Sequence, residues 1–176
     1  MTNNEKFDSF DSFESFESFK QSLIDRNERD YGDEARAEYG EKAVDESNVH
    51  LKNISPEKYN ESERLRVQME QALKTAFDIG DPAGESAQIA CDLHRQWLSI
   101  FYPKYSKEYH KGLGEIYVAD ERFRVNYDKL APGCTEFLRD AINIYCQASA
   151  WTMSFYTLSE MERKRIKVEI ADAVKH

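Results

Sequence analysis

The stretch SPEKYNESERLRVQMEQALKTAFDIG (Ser55–Gly80) decides the fold class. Ser55 before Pro56 reads as a helix N-cap with proline at the first helical position. The hydroxyl accepts an orphan backbone N–H, and proline has no N–H of its own to leave unpaired. Leu65, Met69, Ala72, Leu73, Ala76 and Phe77 then recur in three- and four-residue steps, which places them on one helical face. Gly80 stands just past the last apolar residue, where helices end on a left-handed residue. The spacing predicts a helix to about Ile79, and no segment after residue 50 alternates with period 2 for long.

The same punctuation continues downstream. Asp81–Pro82 predicts the start of a second helix, with Ile89, Leu93, Trp97, Ile100 and Phe101 on one side and a stop at Tyr102–Pro103. Ser106 predicts a cap for a short helix to about Val118 that carries Tyr109, Leu113, Ile116 and Tyr117 on a face. Asp120 predicts another cap, with Phe123 and Tyr127 inward. Ala131–Pro132–Gly133 is a break, and residues 133–147 follow with Phe137, Leu138, Ala141, Ile142 and Tyr145. Five amphipathic helices within residues 51–148 predict an all-α core. Residues 149–176 read as a helical C-terminal extension. They open on Trp151, Met153, Phe155 and Tyr156, and Ser159-x-x-Glu162 is a capping-box pattern.

Upstream the character changes. Residues 1–50 hold 14 acids and 6 bases, whereas residues 51–176 hold 19 and 18, so nearly all of the net charge of −9 sits in the first third. Residues 1–20 form an acidic, low-complexity lead in which Phe7, Phe10, Phe13, Phe16 and Phe19 recur every third residue. At 100° per residue such a repeat spirals around an α-helix instead of forming a face. The lead is therefore either disordered or a segment that orders only against a partner or ligand. Residues 21–50 read as a loosely ordered helical segment with a thin stripe of Ile24, Tyr31, Ala35 and Tyr39, a break at Gly32–Asp33 and an end at Gly40.

Composition narrows the function. The chain has 176 residues, 40% of them apolar and 32% charged, which is enough to bury a core without disulfides. No run of 18 apolar residues and no basic start leading into an apolar stretch occurs, so a cytoplasmic protein without a membrane span is expected. Cys91, Cys134 and Cys146 show no CxxC or Cys/His metal spacing. An acidic chain is a poor fit to a nucleic acid backbone.

Catalytic patterns are thin: there is no HExxH and no GxSxG, and no cofactor is expected. Cys91 and His94 lie three apart on one helix, as an ordinary core pair or half a metal site. Gly112 and Gly114 interrupt a well-patterned helix, each at a cost of about 1 kcal/mol relative to alanine. They allow either close helix packing or the approach of a flat ligand to bare backbone. On the ligand reading the wall is His94, Trp97, Phe101, Tyr109, Leu113 and Tyr117, and on the packing reading the aromatics are core and His94 is inert.

The strings LHRQW (Leu93–Trp97), YHKGLGEIYVADERF (Tyr109–Phe123) and YDKLAPGCTEFLRDAI (Tyr127–Ile142) resemble the TipA-S-type antibiotic-recognition domain. SLIDRNERDYGDEARAEYG (Ser22–Gly40) is similar to that family's N-terminal portion, so the resemblance covers roughly residues 17–147. It implies a globin-like all-α core with a broad cleft, preceded by N-terminal helices that are loose without ligand and close over it. It also implies sequestration of thiopeptides or other bulky heteroaromatic compounds, commonly within the effector half of a MerR-type regulator. Gly112 departs from the pattern. The thiopeptide-capturing member has a nucleophilic cysteine at that position, so reversible binding is expected here.

Together these readings predict a non-enzymatic drug-binding protein that sequesters or senses heteroaromatic antibiotics. The expected ligand contacts are His94, Trp97, Phe101, Tyr109, Gly112, Leu113, Glu115 and Tyr117, with the aromatics stacking and His94 and Glu115 supplying polar contacts. No direct contact with nucleic acid is expected. The alternative is a regulatory module that acts with a separate DNA-binding partner. A haem or oxygen sensor, with His94 as the proximal ligand, is a weaker third reading.

Overall fold

A computed structural model of the chain describes residues 13–147. Every regular element among them is an α-helix: α1 (Phe13–Tyr39), α2 (Glu41–Lys52), α3 (Pro56–Ile79), α4 (Glu85–Phe101), α5 (Lys107–Ala119), α6 (Glu121–Asp128) and α7 (Cys134–Gln147). The all-α class expected from the sequence is the one observed. The expected extension over 149–176 and the first residues of the Phe repeat, Phe7 and Phe10, lie outside the described residues.

The helix ends follow local chemistry. Ser55 Oγ accepts from the Lys58 amide at 3.2 Å, Ser106 Oγ from Tyr109 at 3.1 Å, and an Asp120 carboxylate oxygen from Arg122 at 2.9 Å. Gly80, with φ of 81°, takes the left-handed conformation that closes α3. One start differs from expectation. Asp81 does not cap a helix directly; its carboxylate accepts from the Ala83 amide at 3.0 Å in a local turn, and α4 begins at Glu85.

The chain forms two compact units. Among the described residues, one runs to Glu63 and takes in Ile100–Pro103, and the other holds Arg64–Ser99 and Lys104–Gln147.

In the first unit α1 is longer and better anchored than its composition suggests. It starts at Phe13 and passes through Gly32 without a break. The spiral of phenylalanines is used in part: Phe16 is 2% exposed, and Phe16 and Phe19 both meet the Tyr59 ring edge-on, at 6.0 and 5.3 Å between centroids. Gly32 is no helix stop. It lies between Glu28 and Arg36 on one face, and a Cβ there would come within 2.6 Å of the Glu28 carboxylate. The bare backbone leaves room for the Glu28–Arg36 ion pair, and Arg36 also reaches Glu41 at 2.7 Å and Asp45 at 3.2 Å on α2. Hydrogen bonds from Arg36 and Asn48 hold the Glu28 carboxyl below its usual range.

Lys20 is 4% exposed and reaches the end of α2, donating to Lys52 O at 2.6 Å and Ile54 O at 3.2 Å. Glu17 at 2.7 Å and the Phe16 ring at 4.9 Å complete its surroundings. His50 Nε2 bonds Ile100 O at 2.7 Å and so ties α2 to the Ile100–Pro103 segment.

The second unit has its core on Leu65, Met69, Leu73, Leu98, Leu138 and Ile142, all buried. α5 lies against α7 at Gly114, where a Cβ would stand 3.5 Å from the Arg139 backbone. Gly133, with φ of 88°, turns the chain into α7. Thr135 bonds Asp128 from both its amide, at 2.9 Å, and its hydroxyl, at 2.7 Å, joining α7 to the end of α6.

Candidate functional site

Of the expected ligand contacts, Tyr109, Gly112, Leu113, Glu115 and Tyr117 lie on α5, on different sides of it, and His94 and Trp97 lie on α4 in the same unit. His110, Gly114 and Tyr117 form its buried face, in steps of four and three residues. Tyr109, Leu113 and Ile116 flank that face and are half-buried. Glu108, Gly112, Glu115 and Ala119 form the exposed side. Gly112 and Gly114 are 200° apart around the axis, so the two glycines serve different ends.

Gly114 has the packing role against α7. Gly112 does not: apart from its chain neighbours and the backbone of its own helix, no atom lies within 4 Å of a Cβ placed there, and its φ is not positive. Neither crowding nor backbone conformation calls for glycine at this position. Beside it, Glu115 is held from α7 by Asn143 Nδ2 at 3.3 Å and by Arg139 at 3.8 Å.

The inward side is a polar core. His94 and His110 are each 0% exposed, and His94 Nδ1 meets His110 Nε2 at 2.9 Å. The Tyr117 hydroxyl lies 3.3 Å from His94 Nε2, and the Tyr105 hydroxyl 3.0 Å from His110 Nδ1. Trp97, half-buried one turn along α4, stacks on the His94 ring at 6.0 Å and 14°. Tyr127 of α6 meets both Tyr117 and His94 by its ring. Burial, reinforced by His110, holds His94 well below the usual imidazole range. Burial and then the Arg95 charge lower His110 to about 4. Both rings are therefore neutral near pH 7.

A second cluster adjoins the first. Tyr145 donates to an Asp92 carboxylate oxygen at 2.8 Å, and Arg95 Nε donates to the same oxygen at 3.0 Å and to the Tyr145 hydroxyl at 3.1 Å. This ties α4 to α7 beside the His110 ring, which contacts Tyr145 at 5.9 Å.

His94, Trp97, Tyr109, Gly112, Leu113, Glu115 and Tyr117 thus belong to one unit, while Phe101 belongs to the other. His94 is fully enclosed, and both of its ring nitrogens are engaged by protein groups. The sequence reading passed over His110, Tyr105 and Tyr127 as site residues. For His110 a signal was present: it stands four residues before Gly114 and seven before Tyr117, on the same stripe.

The thiols are poor nucleophiles. Cys91, Cys134 and Cys146 are all free and buried, and burial raises each, Cys134 to about 11. Among the described residues no group of three or more His, Cys, Asp or Glu is arranged to hold a metal ion, and no helix is long and apolar enough to cross a membrane.

The chain is 43% identical over 67 residues to the HTH-type transcriptional activator TipA of Streptomyces coelicolor, covering 38% of this chain and 26% of that protein. It is 26% identical over 123 residues to the HTH-type transcriptional activator mta of Bacillus subtilis, covering 70% and 48%. It is 24% identical over 120 residues to the HTH-type transcriptional regulator SkgA of Caulobacter vibrioides, covering 66% and 45%. The chain spans about half or less of the length of these curated relatives. No solved structure gives a significant match. The TipAS antibiotic-recognition domain matches residues 31–145, a range that takes in α5, the histidine pair and the exposed Gly112 alike, and the chain belongs to that family.

Proposed function

We propose that this chain is a non-catalytic binding protein that takes bulky heteroaromatic, thiopeptide-like antibiotics reversibly, with α5 as the docking element. Gly112 is the observation that carries the reading. A mid-helix glycine costs about 1 kcal/mol relative to alanine. Here it relieves no crowding and adopts no left-handed conformation. A ligand that lies flat on the backbone gives it a purpose. Leu113 and Tyr109 flank the position, and Glu115 adds a carboxylate one turn on. Trp97 supplies a half-buried aromatic surface, while His94 and Tyr117 act from inside by fixing the helix face. Phe101 has no assigned part in this arrangement.

Apolar burial supplies the affinity, about 25 cal/mol per Å² before ordering costs. The buried, high-pKa thiols and the glycine at position 112 support a non-covalent complex. The test is calorimetric titration with thiostrepton-class thiopeptides, followed by denaturing mass spectrometry. Saturable binding with recovery of the unmodified mass is expected. A persistent adduct, or no binding across the panel, overturns the proposal.

A second reading is favoured by the relatives' names: the chain serves as the effector part of a MerR-type regulator and acts with a separate DNA-binding subunit. Retention of a helix-turn-helix regulator by the immobilised chain, changed by a thiopeptide, supports it over sequestration. Cytoplasmic residence is proposed with either reading.

A further inference from the structure

The His94–His110 contact constrains itself. A neutral imidazole carries one N–H and one lone pair. If His94 holds its proton on Nδ1, it donates across the 2.9 Å gap to His110 Nε2, so His110 holds its own proton on Nδ1 and donates to Tyr105. If His110 holds its proton on Nε2, it donates back to His94 Nδ1, so His94 holds its own on Nε2 and donates to Tyr117. The two mixed arrangements press two protons or two lone pairs together. Both rings are 0% exposed, so solvent does not relieve such a mismatch.

We infer that His94 and His110 form a single two-state relay, both Nδ1–H or both Nε2–H, that carries a hydrogen-bond direction between the hydroxyls of Tyr105 and Tyr117. In the first state Tyr105 accepts from His110 and its own proton is free to be given onward. In the second it gives that proton to His110 and offers lone pairs alone. Each end has a neighbour able to take either role. Tyr105 bonds the Cys146 thiol, and Tyr117 bonds the Tyr127 hydroxyl. The relay links the α4–α5 connection, α4, α5, α6 and α7 without moving a heavy atom. Tyr105 is its half-buried end, so a group that bonds the Tyr105 hydroxyl sets proton positions as far as Tyr117.

The test reads ring-nitrogen protonation by two-dimensional ¹H–¹⁵N correlation on the full chain labelled with ¹⁵N-histidine, without ligand. His50→Gln and His176→Gln identify the buried pair by elimination. Pyrrole-like and pyridine-like nitrogen shifts then give each tautomer. In the parent both rings are expected in the same class. Tyr105→Phe leaves His110 Nδ1 with neither donor nor acceptor, and because a buried N–H left unpaired is worse than a bare lone pair it drives both rings to Nε2–H. Tyr117→Phe does the same at His94 Nε2 and drives both to Nδ1–H. The decisive reading in Tyr105→Phe is whether both rings of the pair change class together, since only one of them bonds Tyr105. A mixed pair in the parent overturns the relay, as does a variant that changes one ring alone or the same class in both variants. Should either variant not fold, the matched or mixed state of the parent still decides. No ligand enters the experiment, so its outcome is independent of the proposed binding activity.

Discussion

Two glycines two residues apart on α5 answer to different physics, and substitution separates them. A Cβ on Gly112 meets open space, so Gly112→Ala recovers helix propensity. Thermal unfolding of this variant should show a gain of about 0.5–1 kcal/mol. If the bare backbone is the docking surface, thiopeptide affinity falls in the same variant, by about 1 kcal/mol or more for one intruding methyl against a flat ligand. Unchanged affinity removes Gly112 from the site. Gly114 faces the Arg139 backbone and the Ile142 side chain at 3.5–3.6 Å. Alanine fits there at ordinary contact distance, but Gly114→Val overfills the α5–α7 seam and should cost about 1–3 kcal/mol. The first substitution trades binding for stability, and the second loses stability for a reason that has nothing to do with ligand.

Among the elements, α1 holds the least expected anchor. Removing the Lys20 ammonium leaves Lys52 O and Ile54 O at the end of α2 without their charged donor. Lys20→Met keeps much of the apolar stem over Phe16 and deletes the charge. It should weaken the α1–α2 contact by about 1.5–3 kcal/mol, seen as faster amide exchange in α1 and α2 with exchange in α7 unchanged. Equal exchange in α1 and α2 of parent and variant overturns this reading of Lys20. The element also shows where sequence reading runs out. Helices α3, α5 and α6 were legible because Ser55, Ser106 and Asp120 cap them locally, and α4 and α7 because their apolar residues keep a 3.6 period. The site's aromatics were legible as an aromatic stripe, but not which of them face inward. α1 was not legible as an anchored helix, because Phe16 and Lys20 find their partners at Tyr59, Lys52 and Ile54, more than thirty residues away. Gly32 read as a break because the ion pair it accommodates runs from Glu28 to Arg36, two turns apart on one face. The His94–His110 pair was hidden for the same reason: sixteen residues and a turn at Pro103 separate two rings that touch.

For the molecule as a whole, the buried imidazoles set the response to acid. Both are lowered from the ordinary 6.5, His94 by burial and then His110, and His110 to about 4 by burial and then Arg95. For a base whose folded pKa is lowered, both states are neutral at high pH and the full stability is present. Below 6.5 the unfolded chain binds protons that the folded chain refuses, so stability falls with falling pH until the folded pKa is reached. The slope is up to about 1.4 kcal/mol per pH unit for each ring. Carboxylates contribute separately. Arg36 lowers Glu28 and Arg124 lowers Glu136 from 4.5, and Arg122 lowers Asp120 from 3.8. Their stabilisation is complete above those ordinary values and is lost only as pH falls below them. The window between pH 6.5 and 4.5 therefore belongs to the histidines. Urea unfolding across it should show a steady loss of stability, about 2–3 kcal/mol by its lower end for a single ring and more when both contribute. His110→Gln retains a donor and an acceptor but cannot titrate, so it should lower stability at pH 7.5 and flatten the slope between 6.5 and 4.5. A variant that keeps the parent slope would assign the acid response to groups other than this pair.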